Sequence, residues 1–193
     1  MKKYIVGITG ASGSIYGVRL LEELIKRECE IYLIVTDNGK KVLEYEMEYD
    51  FNQWIENLNT KNSKIKICNI NNMFSAVASG SFKTDGMIIV PCSMSTIAKL
   101  SGGISDSLII RAGDVMIKEK RKLIVVPRET PFNSIHLKNM LILSELNVNI
   151  IPPMPAFYQK PKTIDDIVNG TVGRILECLG IENELYYHWQ SGI

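Results

Sequence analysis

Six short apolar runs, Tyr4 to Thr9, Glu30 to Thr36, Lys64 to Cys68, Asp85 to Pro91, Lys122 to Pro127 and Asn147 to Ile151, alternate along the chain with stretches of helical periodicity. Strand and helix in repetition predict a parallel sheet covered on both faces. Crossovers between parallel strands are right-handed, so the expected fold class is α/β, a single-domain, Rossmann-like doubly wound parallel sheet flanked by helices. Ile15, Val18, Leu20, Leu21 and Leu24 suit one helix, while Ile104, Leu108, Ile109, Val115 and Ile117 suit another with a broad buried face. In 193 residues with 46% apolar composition there is room for one compact core, so residues 1–193 are expected to be one domain. Ligands of such open sheets bind beyond the carboxyl ends of the strands. A site is therefore expected just after Thr9, Thr36, Pro91, Pro127 and Ile151, with Asn59 to Ser81 and Pro152 to Pro161 as the loops that build it.

Charge narrows the function classes. The 22 Lys and Arg nearly balance the 21 Asp and Glu, leaving +1, so no overall field draws the chain to nucleic acid or an anionic membrane. Apolar runs such as Gly86 to Pro91 are far shorter than the roughly 20 residues of a membrane span, and no apolar leader precedes the first run. A cytoplasmic location is expected. Cysteines at 29, 68, 92 and 178 have neither Cys-x-x-Cys spacing nor neighbouring histidines, so four reduced thiols and no bound metal are expected.

The first run leads into Gly7-Ile8-Thr9-Gly10-Ala11-Ser12-Gly13-Ser14-Ile15-Tyr16-Gly17, a glycine-rich turn that opens a helix. Glycines let a ligand approach the backbone, and free N–H groups at a helix start favour an anion. The spacing matches neither the Gly-x-Gly-x-x-Gly dinucleotide fingerprint nor the phosphate loop ending in Gly-Lys. A tight turn with no ligand is the alternative. Asp37 reads either as a ribose partner or as a helix cap. Pro91-Cys92-Ser93-Met94-Ser95-Thr96 gathers small hydroxyls that cap a helix or bond a ligand. A nucleophilic role for Cys92 lacks a base, since neither His136 nor His188 stands in any sequence relation to it. Arg111 and Lys118, seven residues apart, share a helix face and can converge on one phosphate. Arg128-Glu129 ends the fifth run, where an open sheet places its ligand, although a structural ion pair is the other reading.

Taken together, the glycine-rich start, Ala78-Ser79-Gly80-Ser81, Pro91-Cys92-Ser93, Pro127-Arg128-Glu129-Thr130-Pro131 and Pro155-Ala156-Phe157-Tyr158 resemble the flavin prenyltransferases of the UbiX type, in order and over essentially the whole chain. The resemblance implies joining of dimethylallyl phosphate to reduced FMN, with alkylation at N5 followed by closure of a second ring. The product, prenylated FMN, serves a partner decarboxylase of the UbiD type. It also implies a homododecamer with sites between subunits. By matching positions, Gly10, Ala11, Ser12, Thr36, Ser93, Thr96 and Arg128 resemble the FMN contacts. Ser79, Gly80, Arg111, Lys118, Arg128, Glu129, Tyr158 and Arg174 resemble the site for the allylic phosphate, some of them supplied by neighbouring subunits. Ser12, Glu46, Lys118, Glu129 and Trp189 resemble the catalytic set: Ser12 and Glu46 near N5, Glu129 as proton donor to the leaving phosphate. Glu46 alone reads as a helix-surface acid. Trp189 either lends an aromatic face to an allylic cation or only closes the site, with the tail from about residue 182 as the lid. Thr36 stands where Ser is usual and keeps the hydroxyl, and Gly113 stands where Ala is usual. A flavin-dependent cysteine decarboxylase of the same superfamily is the alternative, disfavoured because its usual catalytic His is absent. A non-catalytic flavin-binding subunit of a decarboxylase is a third reading.

Overall fold

In a computed structural model that describes residues 1–60 and 64–187, β1 (Lys2–Ile8), β2 (Cys29–Val35), β3 (Lys64–Cys68), β4 (Gly86–Cys92), β5 (Leu123–Pro127) and β6 (Asn149–Ile150) form one parallel sheet. The strand order is β3-β2-β1-β4-β5-β6. The chain works outward from β1 to β3, returns to lay β4 against the other side of β1, and works outward again. That reversal opens a crevice between the carboxyl ends of β1 and β4, where an open α/β sheet takes its ligand.

The sheet is covered on both faces because its strands are apolar on both. Tyr4, Val6 and Ile8 point into one core with α1 (Ser14–Ile25), α2 (Asp37–Met47), α3 (Phe51–Thr60) and α7 (Ile164–Cys178). Ile5, Ile34, Met87 and Ile89 point into a second with α4 (Met94–Ser101), α5 (Leu108–Lys118) and α6 (Ser134–Glu145). β4 sits at the centre and is buried throughout. Gly17 of α1 is a packing requirement, since a Cβ there would lie 2.7 Å from the Val90 carbonyl oxygen of β4.

Two expectations change. Ile104 is not on the helix that carries Leu108: Gly102 and Gly103, the latter at φ 67, end α4, and residues up to Ser107 form a loop that leaves Ile104 exposed. The stretch from Asn59 is not loop at its start, because α3 runs on to Thr60; beyond the expected β3 the irregular part is 69–85, with a 3-10 turn at Ala76–Ala78. Cys92 is fully buried and burial pushes its thiol well above the ordinary value, so it stays protonated and unreactive. All four cysteines are free thiols. Among the described residues no helix is long and apolar enough to cross a membrane.

Candidate functional site

At the crevice, Thr9, Gly10, Thr36, Asn38, Ser93, Ser95, Thr96, Lys99, Ser107, Ile109 and Ile110 line a cavity of about 220 Å³. Thr9 ties its two sides together. The buried Thr9 hydroxyl donates to the Pro91 carbonyl at 2.8 Å and accepts from the Ser93 N–H at 2.8 Å. Thr36 caps α2 by accepting from the Gly39 N–H at 3.0 Å, and Ser93 caps α4 by accepting from the Thr96 N–H at 3.3 Å. Ser93 Oγ also lies 3.1 Å from Ser95 Oγ and 3.0 Å from Thr96 Oγ1. Two helix N-termini and a cluster of hydroxyls therefore face one opening, with Ile109 and Ile110 as an apolar wall. Such a set fits FMN: the donors suit its phosphate and polar ring edge, and the isoleucines suit its flat ring. Asp37 is exposed beside the cap that Thr36 provides.

The glycine-rich turn is held from an unexpected direction. Glu46, near the end of α2, aims its carboxylate at the start of α1, where it accepts from the Gly13 N–H at 3.0 Å and the Ser14 N–H at 2.8 Å. Gly13 takes φ 105, a conformation that side chains rarely allow. Burial alone would push the Glu46 carboxyl up, but hydrogen bonds from the Ser12 hydroxyl and the Ser14 and Gly13 N–H groups outweigh it and hold the group below its ordinary value. The helix-surface reading of Glu46 is thus wrong, because the carboxylate closes orphan donors at a helix start.

The shift has a consequence with a definite sign. A depressed carboxyl contributes stability that is present above the unfolded value, near 4.5, and is lost as pH falls through the lower folded value. Glu46→Gln should lose it at every pH, since one amide oxygen cannot accept from all these donors and the amide N–H₂ opposes one of them. Leaving a partly buried N–H unpaired costs about 1 to 2 kcal/mol, so FMN should bind roughly tenfold more weakly. Flavin fluorescence titrations between pH 4 and 8 check this; an unchanged affinity across that range would show that Glu46 does not order the turn.

The phosphate candidates fall into three places. Arg111 Nε donates to the Ala78 carbonyl at 3.1 Å and Nη1 pairs with Asp114 at 2.8 Å, while Lys118 Nζ pairs with Glu119 at 3.3 Å. Both border the turn carrying Ser79 and Gly80, so those four are brought together. Arg128 and Glu129 are exposed at the end of β5, and the Arg128 N–H donates to the Cys92 carbonyl at 3.4 Å, beside Ser93. Among the described residues no ion pair joins Arg128 to Glu129, whose carboxylate accepts from the Thr130 N–H at 3.1 Å. The structural ion-pair reading fails there. Tyr158 and Arg174 line a separate cavity of about 150 Å³ with Ile151, Pro152 and Thr171. Arg174 is on α7 and Arg111 on α5, on opposite faces of the sheet. One copy of the chain does not bring the two groups to one point.

Trp189 lies outside the described residues. The part of the tail that is described packs along α7: Asn183 Nδ2 donates to the Gly173 carbonyl at 3.2 Å, and the Tyr186 hydroxyl donates to Glu177 at 2.5 Å. Thr9, Asn38, Lys99 and Ser107 line the crevice and were not singled out from the sequence. Thr9 sits inside the glycine-rich motif, so the motif pointed to it. Lys99 gave no signal, because only the fold of the 102–107 loop brings it to Asp106, 2.7 Å away, at the cavity.

Comparison with known proteins agrees with this geometry. The family model described as Flavoprotein matches residues 1–176. A relative from Methanocaldococcus jannaschii named flavin prenyltransferase UbiX is 48% identical, covering 97% of this chain and 98% of its own. The crystal structure of a dodecameric FMN-dependent UbiX-like decarboxylase from Escherichia coli O157:H7 superposes with a TM-score of 0.91 at 43% identity, over 98% of this chain and 100% of that one. A second, AnUbiX in complex with FMN and dimethylallyl pyrophosphate, gives 0.92 at 38% identity over 100% and 99%. The Gly-rich turn, the hydroxyl-lined crevice at the β1/β4 reversal and this likeness over the full chain lead to one assignment: the chain belongs to the Flavoprotein family, among the flavin prenyltransferases of the UbiX type.

Proposed function

We infer that this chain joins a dimethylallyl group from dimethylallyl phosphate to reduced FMN and releases prenylated FMN. One observation carries the reading. The Arg128 N–H donates to the Cys92 carbonyl, which brings the 128–129 segment next to Ser93, a lining residue of the hydroxyl-lined crevice. Both residues are exposed, and we read their cation and carboxyl group as turned toward the opening that fits FMN. Bound reduced FMN would supply the nucleophilic nitrogen that takes the dimethylallyl carbon. The residues of the chain do the rest: Gly10, Ala11, Ser12, Thr36, Ser93 and Thr96 hold the flavin, and Arg128 spans both ligands. As the carbon–oxygen bond of the donor breaks, its electron pair leaves on phosphate. Arg111, Lys118, Arg128, Arg174 and Tyr158 hold that growing charge, and Ser79 and Gly80 bring hydroxyl and N–H donors. Glu129 carries the proton to the departing phosphate, and the Ser12–Glu46 pair handles protons on the flavin side.

That Arg111 and Lys118 lie across the sheet from Arg174 supports a homododecamer in which neighbouring copies complete each site, as the dodecameric relative from Escherichia coli suggests. The tail from about residue 182, whose described part packs along α7, is the segment read as closing the site. Prenylated FMN would go to a UbiD-type decarboxylase. Four free thiols suit the reducing cytoplasm.

The binding half of this reading predicts saturable quenching of flavin fluorescence by the purified protein with FMN, unaffected by excess NAD. The glycine-rich turn lacks the dinucleotide glycine spacing. Displacement of FMN by NAD would overturn it. Mass spectrometry of the flavin after incubation with reduced FMN and dimethylallyl phosphate tests the chemistry.

A further inference from the structure

We propose that Arg121 is a positioning residue for the phosphate of the allylic donor, acting by fixing the Ser79–Gly80 turn; this rests on the reading of that turn as part of the phosphate site. Arg121 follows α5 and its N–H closes that helix by donating to the Met116 carbonyl at 2.8 Å. Its side chain is only 13% exposed and turns into the 78–82 segment. Nη1 donates to the Phe82 carbonyl at 2.7 Å and Nη2 to the Gly80 carbonyl at 2.5 Å. Both arms of the guanidinium are thus used, and Glu119 stands 3.6 Å away as its counter-charge. A cation so occupied is not itself free to meet an anion. It acts through what it holds.

What it holds is a turn shaped to present donors. The Gly80 and Phe82 carbonyl oxygens are drawn back onto Arg121, which removes two negative dipole ends from the outer side of the turn. Among the described residues the Gly80 N–H has no hydrogen-bond acceptor, while the exposed Ser79 and Ser81 hydroxyls lie 2.8 Å apart. The turn backbone is also pressed against Lys118 and Glu119. A Cβ on Gly80 would overlap the Glu119 carboxylate and lie 3.3 Å from Lys118 Nζ. Arg111 holds the other end of the same turn through Ala78, and Phe82 anchors it by edge contact with Tyr32 at 5.1 Å between ring centroids. Arg121 therefore sets the distance between the backbone donors of the turn and the ammonium of Lys118. A planar fork holds both carbonyls at a fixed separation; a lysine ammonium has donors enough but, on a flexible stem, does not fix that separation.

Arg121→Lys and Arg121→Met separate geometry from charge. The readouts are FMN affinity by fluorescence, inorganic phosphate affinity of the FMN complex by calorimetry, KM and kcat for dimethylallyl phosphate, and Tm. With Arg121→Lys the expected result is about tenfold weaker phosphate binding and a matching rise in KM, because charge is kept and the rigid two-point hold on the turn is lost. FMN affinity should stay within about twofold of the unmodified chain and kcat should change less than KM. Arg121→Met should extend the same pattern. If Arg121→Lys binds phosphate as the unmodified chain does, charge and not the turn is what matters, and the proposal falls. Equal losses in FMN and phosphate affinity would overturn it too, as the mark of a merely structural residue. Should Arg121→Met fail to fold, Arg121→Lys decides alone. Were the unmodified protein to make no prenylated FMN, the function reading would fall while phosphate binding by the two variants still judged Arg121.

Discussion

Glu129→Gln binds FMN as the unmodified chain does and loses about a hundredfold to ten-thousandfold in prenylation rate, the usual cost of removing a proton donor from a transition state. The substitution keeps shape and one acceptor oxygen, so the Thr130 N–H stays bonded, and only the transferable proton goes. Because no ion pair joins Glu129 to Arg128 among the described residues, the change leaves the cation where it is. Arg128→Ala gives the contrasting result. On the proposed function it weakens FMN and phosphate together, since one cation would serve both ligands, while its N–H bond to Cys92 survives. Single-turnover rates at saturating substrate, with FMN affinity measured separately, distinguish the two variants. Wild-type prenylation by Glu129→Gln would remove Glu129 from the chemistry and leave water or another group as donor.

Gly17→Val is expected to lower stability by about 3 kcal/mol, near the upper range for overpacking a well-filled contact. The first added carbon meets the Val90 carbonyl oxygen at 2.7 Å and Ile8 Cδ1 at 3.5 Å, and the carbonyl belongs to a central strand that cannot yield. Helix propensity offsets only a few tenths of that, since valine is a modest helix former. For a chain of this length the Tm should fall by roughly 6 to 12 °C, read by calorimetry. FMN affinity should fall as well, because lifting α1 from β4 moves the Gly13 and Ser14 N–H groups that Glu46 holds. A Tm within about 2 °C of the unmodified chain would show that α1 and β4 can separate without cost.

The core and the fold class were readable because the pattern that encodes them is local. Runs such as Gly86 to Pro91 and Leu123 to Pro127 are too short for helices and too apolar for surface, and their alternation with amphipathic segments leaves a doubly wound sheet as the simple solution. The site was readable in part for the same reason. Ligand loops follow strand ends, so Gly10, Thr36, Ser93 and Arg128 could be singled out by position. Boundaries gave way where local rules compete: Ile104 continues the apolar rhythm of α5 on paper, but a glycine pair ahead of it ends one helix before the next can begin.

Sequence by itself determined the fold class, the six strands within two residues at their ends, the expectation of a site beyond the strand carboxyl ends and the family. Those follow from periodicities of 2 and 3.6 and from motifs contiguous in the chain. Tertiary structure alone decided what depends on through-space approach between distant segments. Glu46 meets Gly13 across 33 positions, Thr9 meets Ser93 across 84, and Arg121 meets Gly80 across 41. It also decided that Arg111 and Arg174, both cations of the expected phosphate site, lie on opposite faces of one sheet. No spacing rule encodes such pairs, because their separation is set by how crossovers stack helices on the sheet and not by the residues between them.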